Sequence, residues 1–134
     1  MRFVIPGEPI AKKRFRFAIR GKYPVTYNEQ EKQVKAVQLI LKSQMNSDII
    51  DTPFSAKFTF IKSRPKSHFG TGKNSDILKK SAPQHVPTKP DLDNYLKFYL
   101  DCMNGIIIKD DSLLYQLDAV KEYGEPQTII EIGG

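Results

Sequence analysis

Two aspartates one residue apart, Asp91 and Asp93, are followed one helical turn later by Lys97, and a second acidic pair, Asp110-Asp111, comes soon after. Carboxylates set this way are ligands for hard divalent cations. Mg²⁺ typically takes one or two of them and completes its shell with waters and substrate phosphate oxygens. A cation held there polarises a phosphodiester and supplies a hydroxide nucleophile at neutral pH. Lys97 has two readings, which can coexist. It can stabilise charge on the transition-state phosphorane or orient the attacking water, and it can form a plain i,i+4 ion pair with Asp93.

The local pattern alone leaves the assignment open. At ~100° per residue, Leu92, Leu96, Tyr99, Leu100 and Met103 share one side of a helix. Asp93, Lys97, Asp101 and Asn104 fall opposite, with Asn94 nearby, as on any solvated helix face. The helix macrodipole favours acids near an N-terminus, which accounts for one of Asp91 and Asp93 more readily than for both. What shifts the balance is position. The acids follow the most basic stretch of the chain, and the Asp110-Asp111 pair follows Gly105-Ile-Ile-Ile-Lys109. Carboxylates beside a phosphate-attracting surface are electrostatically unfavourable unless a cation lies between them.

The elements that must position these groups are legible in outline. Arg2 to Ile5 reads as a strand ending at Pro6-Gly7. Lys13 to Ile19 and Tyr23 to Tyr27 flank Gly21 as a hairpin, whose first arm alternates Phe15, Phe17 and Ile19 with Arg14, Arg16 and Arg20. Asn28 is a candidate N-cap, with Glu31 completing a capping box. Val34, Val37, Leu41 and Met45 then define an amphipathic helix ending near Asn46. Phe54 to Ile61 alternates as a strand. The second helix runs from Asp91 to Asn104 and stops near Gly105. Leu113 to Glu122 and Thr128 to Ile132 are the last strands, with a turn at Gly124-Glu125-Pro126. The order β-β-β-α-β-α-β-β implies a mixed α/β (α+β) layer fold, a single sheet with two helices covering one face.

Between Lys62 and Thr88 the chain holds Pro, Gly, Ser, Asn and Lys with little apolar periodicity, apart from a short helical turn expected at Ile77-Leu78. So long a loop is usually functional or disordered. Its composition suits a flexible basic loop that orders on a phosphate backbone. The whole chain of 134 residues is expected to form one domain, 1–134, with this loop at about 62–88. Its formal net charge is +6, which favours a polyanionic partner. The positive charge clusters before Lys22 and between Lys62 and Lys89. Lys12, Lys13, Arg14, Arg16, Lys73, Lys79, Lys80 and Lys89 are therefore the expected DNA contacts.

Other classes fit poorly. The single cysteine, Cys102, forms no internal disulfide and lies in an apolar helical run, where a small buried hydrophobe is the usual role. No apolar stretch approaches the ~20 residues of a membrane span. The first residues show no signal-peptide core, so a cytoplasmic protein without a membrane partner is expected. An EF-hand loop would need a ligand and then Gly where Tyr95 and Leu96 stand. Gly70-Thr71-Gly72-Lys73 lacks the spacing of a phosphate-binding glycine loop. His68 and His85 have no cysteine pair for zinc, and no small-molecule cofactor framework is visible.

The run Lys89-Pro90-Asp91-x-Asp93-Asn94-x-x-Lys97, then Asp101, Asn104-Gly105 and Asp110-Asp111-Ser112, resembles the RusA family of Holliday junction resolvases. The resemblance extends more loosely to Pro6-Gly7, Lys12-Lys13-Arg14 and the lysine-rich loop. It implies a mixed α/β homodimer that depends on Mg²⁺, with Mn²⁺ as a substitute, and nicks two strands of a four-way DNA junction symmetrically during recombination and repair. Many members are encoded by phages or prophages. It further implies that Asp91, Asp93 and Asp111 are the essential acids and metal ligands and Lys97 the essential lysine, with Asp110 an alternative ligand to Asp111. One departure is the Pro that follows Lys89, which removes no chemical group. The alternatives are a nuclease for flaps or other branched DNA, and a non-catalytic basic DNA-binding module. A transferase using Asp-x-Asp is more distant.

Overall fold

The computed structural model describes residues 1–13, 16–20, 23–27 and 30–133, with 16–20 and 23–27 described by their backbone. Strands β1 (Arg2–Pro6), β4 (Phe54–Lys62), β5 (Leu114–Tyr123) and β6 (Gln127–Gly133) form one mixed sheet in the order β1-β6-β4-β5. β4 and β5 are parallel; the other pairings are antiparallel. β2 (Arg16–Arg20) and β3 (Tyr23–Tyr27) form the expected hairpin as a separate two-stranded ribbon, with Arg16 opposite Tyr27. Helices α1 (Glu31–Gln44) and α2 (Leu92–Met103) pack on the sheet. The element order is the one expected, with this ribbon set apart from the main sheet.

Alternation along the strands decides which face is covered. Phe54, Ala56, Phe58 and Phe60 of β4 are buried, as are Phe3 and Ile5 of β1 and Thr128, Ile130 and Ile132 of β6. They meet Val37 and Leu41 of α1 and Tyr95, Phe98, Tyr99, Cys102 and Met103 of α2. Phe60 stacks on Tyr95 with ring centroids 4.9 Å apart and lies 5.7 Å from Tyr99. Burying each such side chain is worth about 1.5–3 kcal/mol. Contacts of Lys62 with Lys89 at one end and of Ile50 with Ile107 at the other run α2 antiparallel to β4, with its N-terminus over the exit of β4. The apolar arc of α2 is centred on Tyr95, Phe98, Tyr99 and Cys102, with Leu92, Leu96 and Leu100 partly buried at its edge. The helix is thus rotated from the simple wheel, because its aromatic residues fill the space over the sheet. Cys102 is fully buried, and burial followed by the nearby Asp101 charge pushes its thiol up to about 12. It is a core residue.

Two expectations need correction. Helix α1 begins at Glu31 with Gln30 as N-cap, so Glu31 is the first helical residue rather than the third of a capping box; Asn28 lies outside the described residues. The buried Gln30 amide instead accepts from the Lys13 N–H at 2.6 Å and donates to the Ala11 carbonyl at 2.7 Å. The turn expected at Gly124-Glu125-Pro126 forms, and it carries the chain from β5 to β6 across β4, which lies between them. The Gly124 N–H donates to the Lys62 carbonyl at 3.0 Å as the turn passes the end of β4. Finally, Ile77-Leu78 is not a helical turn. Leu78 bridges to Phe69, while short 3₁₀ turns lie at Lys66–His68 and Gly72–Asn74.

The segment from Lys62 to Thr88 therefore carries its own structure. Gly70 N–H donates to the Ile77 carbonyl at 2.9 Å and Lys79 N–H to His68 at 2.8 Å. A Cβ on Gly70 would come within 2.7 Å of Asn74, so this close approach requires glycine. At the far end of α2, Gly105 has φ +79, the left-handed geometry that stops a helix. Among the described residues no helix is long and apolar enough to cross a membrane.

Candidate active site

The N-terminus of α2 is gripped from the sheet. Lys121 of β5 donates its ammonium to the carbonyls of Thr88 at 2.9 Å and Pro90 at 3.1 Å. Lys62 at the end of β4 reaches the Lys89 carbonyl at 3.4 Å. The two Lys121 bonds join two carbonyls of the turn that delivers Asp91 to the sheet, and the longer Lys62 contact lies beside them. The Lys89-Pro90 peptide bond is cis. Asp91 is the N-cap, in extended conformation, and its side chain makes no capping hydrogen bond. Its carbonyl accepts from the N–H groups of Asn94 and Tyr95.

Further along, the N-terminal segment lies against the helix. Lys12 N–H donates to the Asn94 carbonyl at 2.9 Å and Ile10 N–H to the Tyr99 hydroxyl at 3.0 Å. The buried Thr128 hydroxyl donates to the same Tyr99 oxygen at 3.1 Å. Burial raises the Tyr99 hydroxyl's pKa against the lowering effect of these bonds. Tyr99 thus ties β6, α2 and the chain's first residues together.

Asp93 and Lys97 stand outward on this scaffold. Their charged atoms are 3.9 Å apart and both side chains are about two-thirds exposed, a geometry worth about 0.3–0.5 kcal/mol. Such a loose pair leaves both groups available. Lys12 is committed elsewhere, its ammonium 2.5 Å from Asp101. Lys13, Lys73, Lys79, Lys80 and Lys89 are exposed. Arg14 lies outside the described residues, and Arg16 is described only as the first backbone position of β2.

Asp110 and Asp111 lie at the opposite end of α2. Lys109 N–H bonds the Ile50 carbonyl at 2.9 Å and its ammonium lies 3.5 Å from Asp51, just ahead of β4. Asp111 begins the 3₁₀ turn Asp111–Leu113 that leads into β5. Lys121, which holds the Pro90 carbonyl, is seven residues beyond Leu114 on that strand. At ~3.3 Å per strand residue this is about 23 Å, and the twelve residues of α2 span about 18 Å. The structure therefore groups Asp91, Asp93 and Lys97, and sets Asp110 and Asp111 apart from them. Asp110 accepts from the Ser112 N–H at 3.3 Å. Hydrogen bonds from the Ser112 side chain and backbone lower its pKa. Its carboxylate caps the turn, which leaves Asp111 as the less committed of the two. Close by, the Asn104 side-chain oxygen is buried without a partner.

Among the described residues no group of three or more His, Cys, Asp or Glu side chains could hold a metal. The pair Asp91 and Asp93 still fits a cation that completes its shell from water and phosphate oxygens. The full set Asp91, Asp93 and Asp111 does not fit one centre within one chain. Reading the sequence missed Lys62, Lys121, Gln30 and Tyr99 as positioning residues. Only Lys121 carried a hint, as a charge in a strand facing the helices; the others act through single contacts between distant segments.

The model of the family "Endodeoxyribonuclease RusA" matches residues 6–133. The chain belongs to the RusA family of endodeoxyribonucleases, and DNA strand cleavage is the activity of that class. It is also similar to a protein of Bacillus subtilis (strain 168) described as "Uncharacterized protein YqaN". The two are 34% identical over 127 residues, which cover 93% of this chain and 89% of that one.

Proposed function

We propose that this protein is a divalent-metal-dependent endonuclease that resolves Holliday junctions by paired symmetric nicks in DNA recombination and repair. The observation that carries this reading is the outward trio Asp91, Asp93 and Lys97 on a turn anchored by two lysines, in a chain of the RusA family. Asp91 and Asp93 hold Mg²⁺, for which Mn²⁺ substitutes. The cation supplies polarisation of the phosphodiester and a hydroxide at neutral pH. Lys97 faces the phosphate and offsets the negative charge that builds as one P–O ester bond breaks. Lys73, Lys79, Lys80, Lys89 and the basic N-terminal segment draw in the DNA backbone.

The protein works as a homodimer. Two symmetric cuts need two centres related by a two-fold axis, which matches the approximate symmetry of a four-way junction. The length of α2 that separates the two acidic groups of one chain supports the same reading: a centre that also uses Asp111 takes it from a second copy. The experiment is cleavage of a synthetic four-way junction with Mg²⁺. Paired nicks on the junction and none on linear duplex are expected. Faster cutting of flaps would replace the junction with another branched substrate, and binding without cleavage under any divalent ion would leave a DNA-binding module.

A further inference from the structure

The chain leaves β4 at Lys62 beside the end of β5 at Tyr123, then folds back through the 3₁₀ turn Lys66–His68. A cleft of about 460 Å³ opens there, lined by Lys62, Arg64, Ser67, His68, Thr88 and Tyr123 among others. We infer that this cleft is a docking site for a backbone phosphate of the DNA strand that enters the active centre.

Its chemistry is that of an anion site built in advance. The Arg64 guanidinium lies 4.7 Å over the Tyr123 ring. Its Nη1 donates to the Pro83 carbonyl at 2.8 Å and lies 3.3 Å from His68 Nδ1. The His68 ring meets Tyr123 edge-on at 4.9 Å. These contacts hold the guanidinium plane through one nitrogen, and Nη2 and Nε keep their donors. A fixed planar fork is the geometry that binds phosphate with little loss of freedom. Lys62 brings an ammonium whose long 3.4 Å bond to the Lys89 carbonyl leaves donors to spare. Among the described residues no acid lines the cleft. Glu8 stands at its rim, where its carboxylate accepts from the N–H and hydroxyl of Ser63.

The cleft is also coupled to the catalytic turn. Thr88 lines it, and the Thr88 and Pro90 carbonyls share the Lys121 ammonium. A strand phosphate seated against Arg64 and Lys62 is thereby placed beside the turn that presents Asp91 and Asp93. The inference rests on the nuclease reading. It assigns the anchored base of the basic segment, not its lysine-rich tip, as the part that registers the strand.

The test uses the intact protein and a labelled four-way junction, with Ca²⁺ replacing Mg²⁺, titrated across salt concentrations. Ser67→Glu places an acid at an exposed cleft position whose side chain makes none of the hydrogen bonds that hold the loop. Arg64→Gln removes the fork, and Lys32→Gln changes the charge equally on the far helix α1. Ser67→Glu and Arg64→Gln are expected to bind about tenfold more weakly. The slope of log affinity on log salt should fall by about 1 for Arg64→Gln, while Lys32→Gln matches the wild type. Replacing single phosphates near the cleavage position by neutral methylphosphonates should reveal one position that weakens the wild type and leaves Arg64→Gln unaffected. If Arg64→Gln lowers the melting temperature, Ser67→Glu and the methylphosphonate series decide. Binding by Ser67→Glu as tight as that of Lys32→Gln overturns this inference alone. Failure of the wild type to bind the junction in Ca²⁺, or to cut it in Mg²⁺, overturns the nuclease reading with it.

Discussion

Helices α1 and α2 each carry an acid–lysine pair at i,i+4 in the first turn, yet only one of them belongs to a candidate site. Glu31 and Lys35 are 3.2 Å apart and about 70% exposed; Asp93 and Lys97 are 3.9 Å apart and nearly as exposed. By spacing, exposure and charge the pairs are almost the same, and the pair on α1 is the tighter. The difference lies in what precedes each helix. The N-cap of α1 is the buried Gln30, whose amide is used on the neighbouring backbone of Ala11 and Lys13. The N-cap of α2 is an exposed carboxylate with no capping bond, on a turn gripped by Lys62 and Lys121. An ion pair carries little information about function. An acid left uncapped beside a cluster of cations carries much more.

Substitutions at matched positions sharpen this contrast. The largest effect is expected from Asp93→Asn, which should lower junction cleavage on the order of a thousandfold while junction binding holds or tightens, since a repulsive charge leaves with the ligand. Its counterpart Glu31→Gln should cut at the wild-type rate. Single-turnover kinetics decide, and normal cleavage by Asp93→Asn would remove the metal site from this turn. Next comes Lys97→Met, expected to lower the cleavage rate about a hundredfold with little change in junction affinity. Lys35→Met should change neither quantity.

Neutralising both Lys79 and Lys80 to Gln tests the surroundings rather than the pair. Binding should weaken, and the slope of log affinity on log salt should fall by about 2; an unchanged slope would detach the loop tip from the DNA. The smallest effect concerns Asp110, whose folded pKa lies below its ordinary 3.8. The stability it contributes is present above that value and is lost as pH falls through the folded pKa. Asp110→Asn should therefore melt slightly below the wild type at neutral pH, and the difference should close as the medium is made strongly acidic.

Local patterns made much of this legible in advance. The phenylalanine alternation of β4, the spacing of Val34, Val37 and Leu41, and Gly105 at the end of α2 act over a few residues, and the elements formed where they point. What escaped depends on which distant segments meet. Nothing local in Gly124-Glu125-Pro126 says that β4 will separate the strands it joins. Asp111 follows Asp93 closely in the chain, but the helix between them is a rigid spacer that carries them apart. The apparently featureless stretch after Lys62 is held by single contacts, such as Arg64 to Pro83 and Gly70 to Ile77, that no periodicity announces. The carboxylates of α2 were therefore visible in sequence, whereas their backbone supports were not.

The parallel pairing of β4 with β5 has a consequence for how the protein comes into being. The two strands are separated by residues 63–113, so a long loop must close before their ladder forms, and such non-local pairings slow folding. Lys121, the second anchor of the turn that presents Asp91 and Asp93, lies on the later strand. A nascent chain that has completed α2 but not β5 has the acids without the support that aims them. During synthesis that support forms only once β5 has followed α2 out of the ribosome.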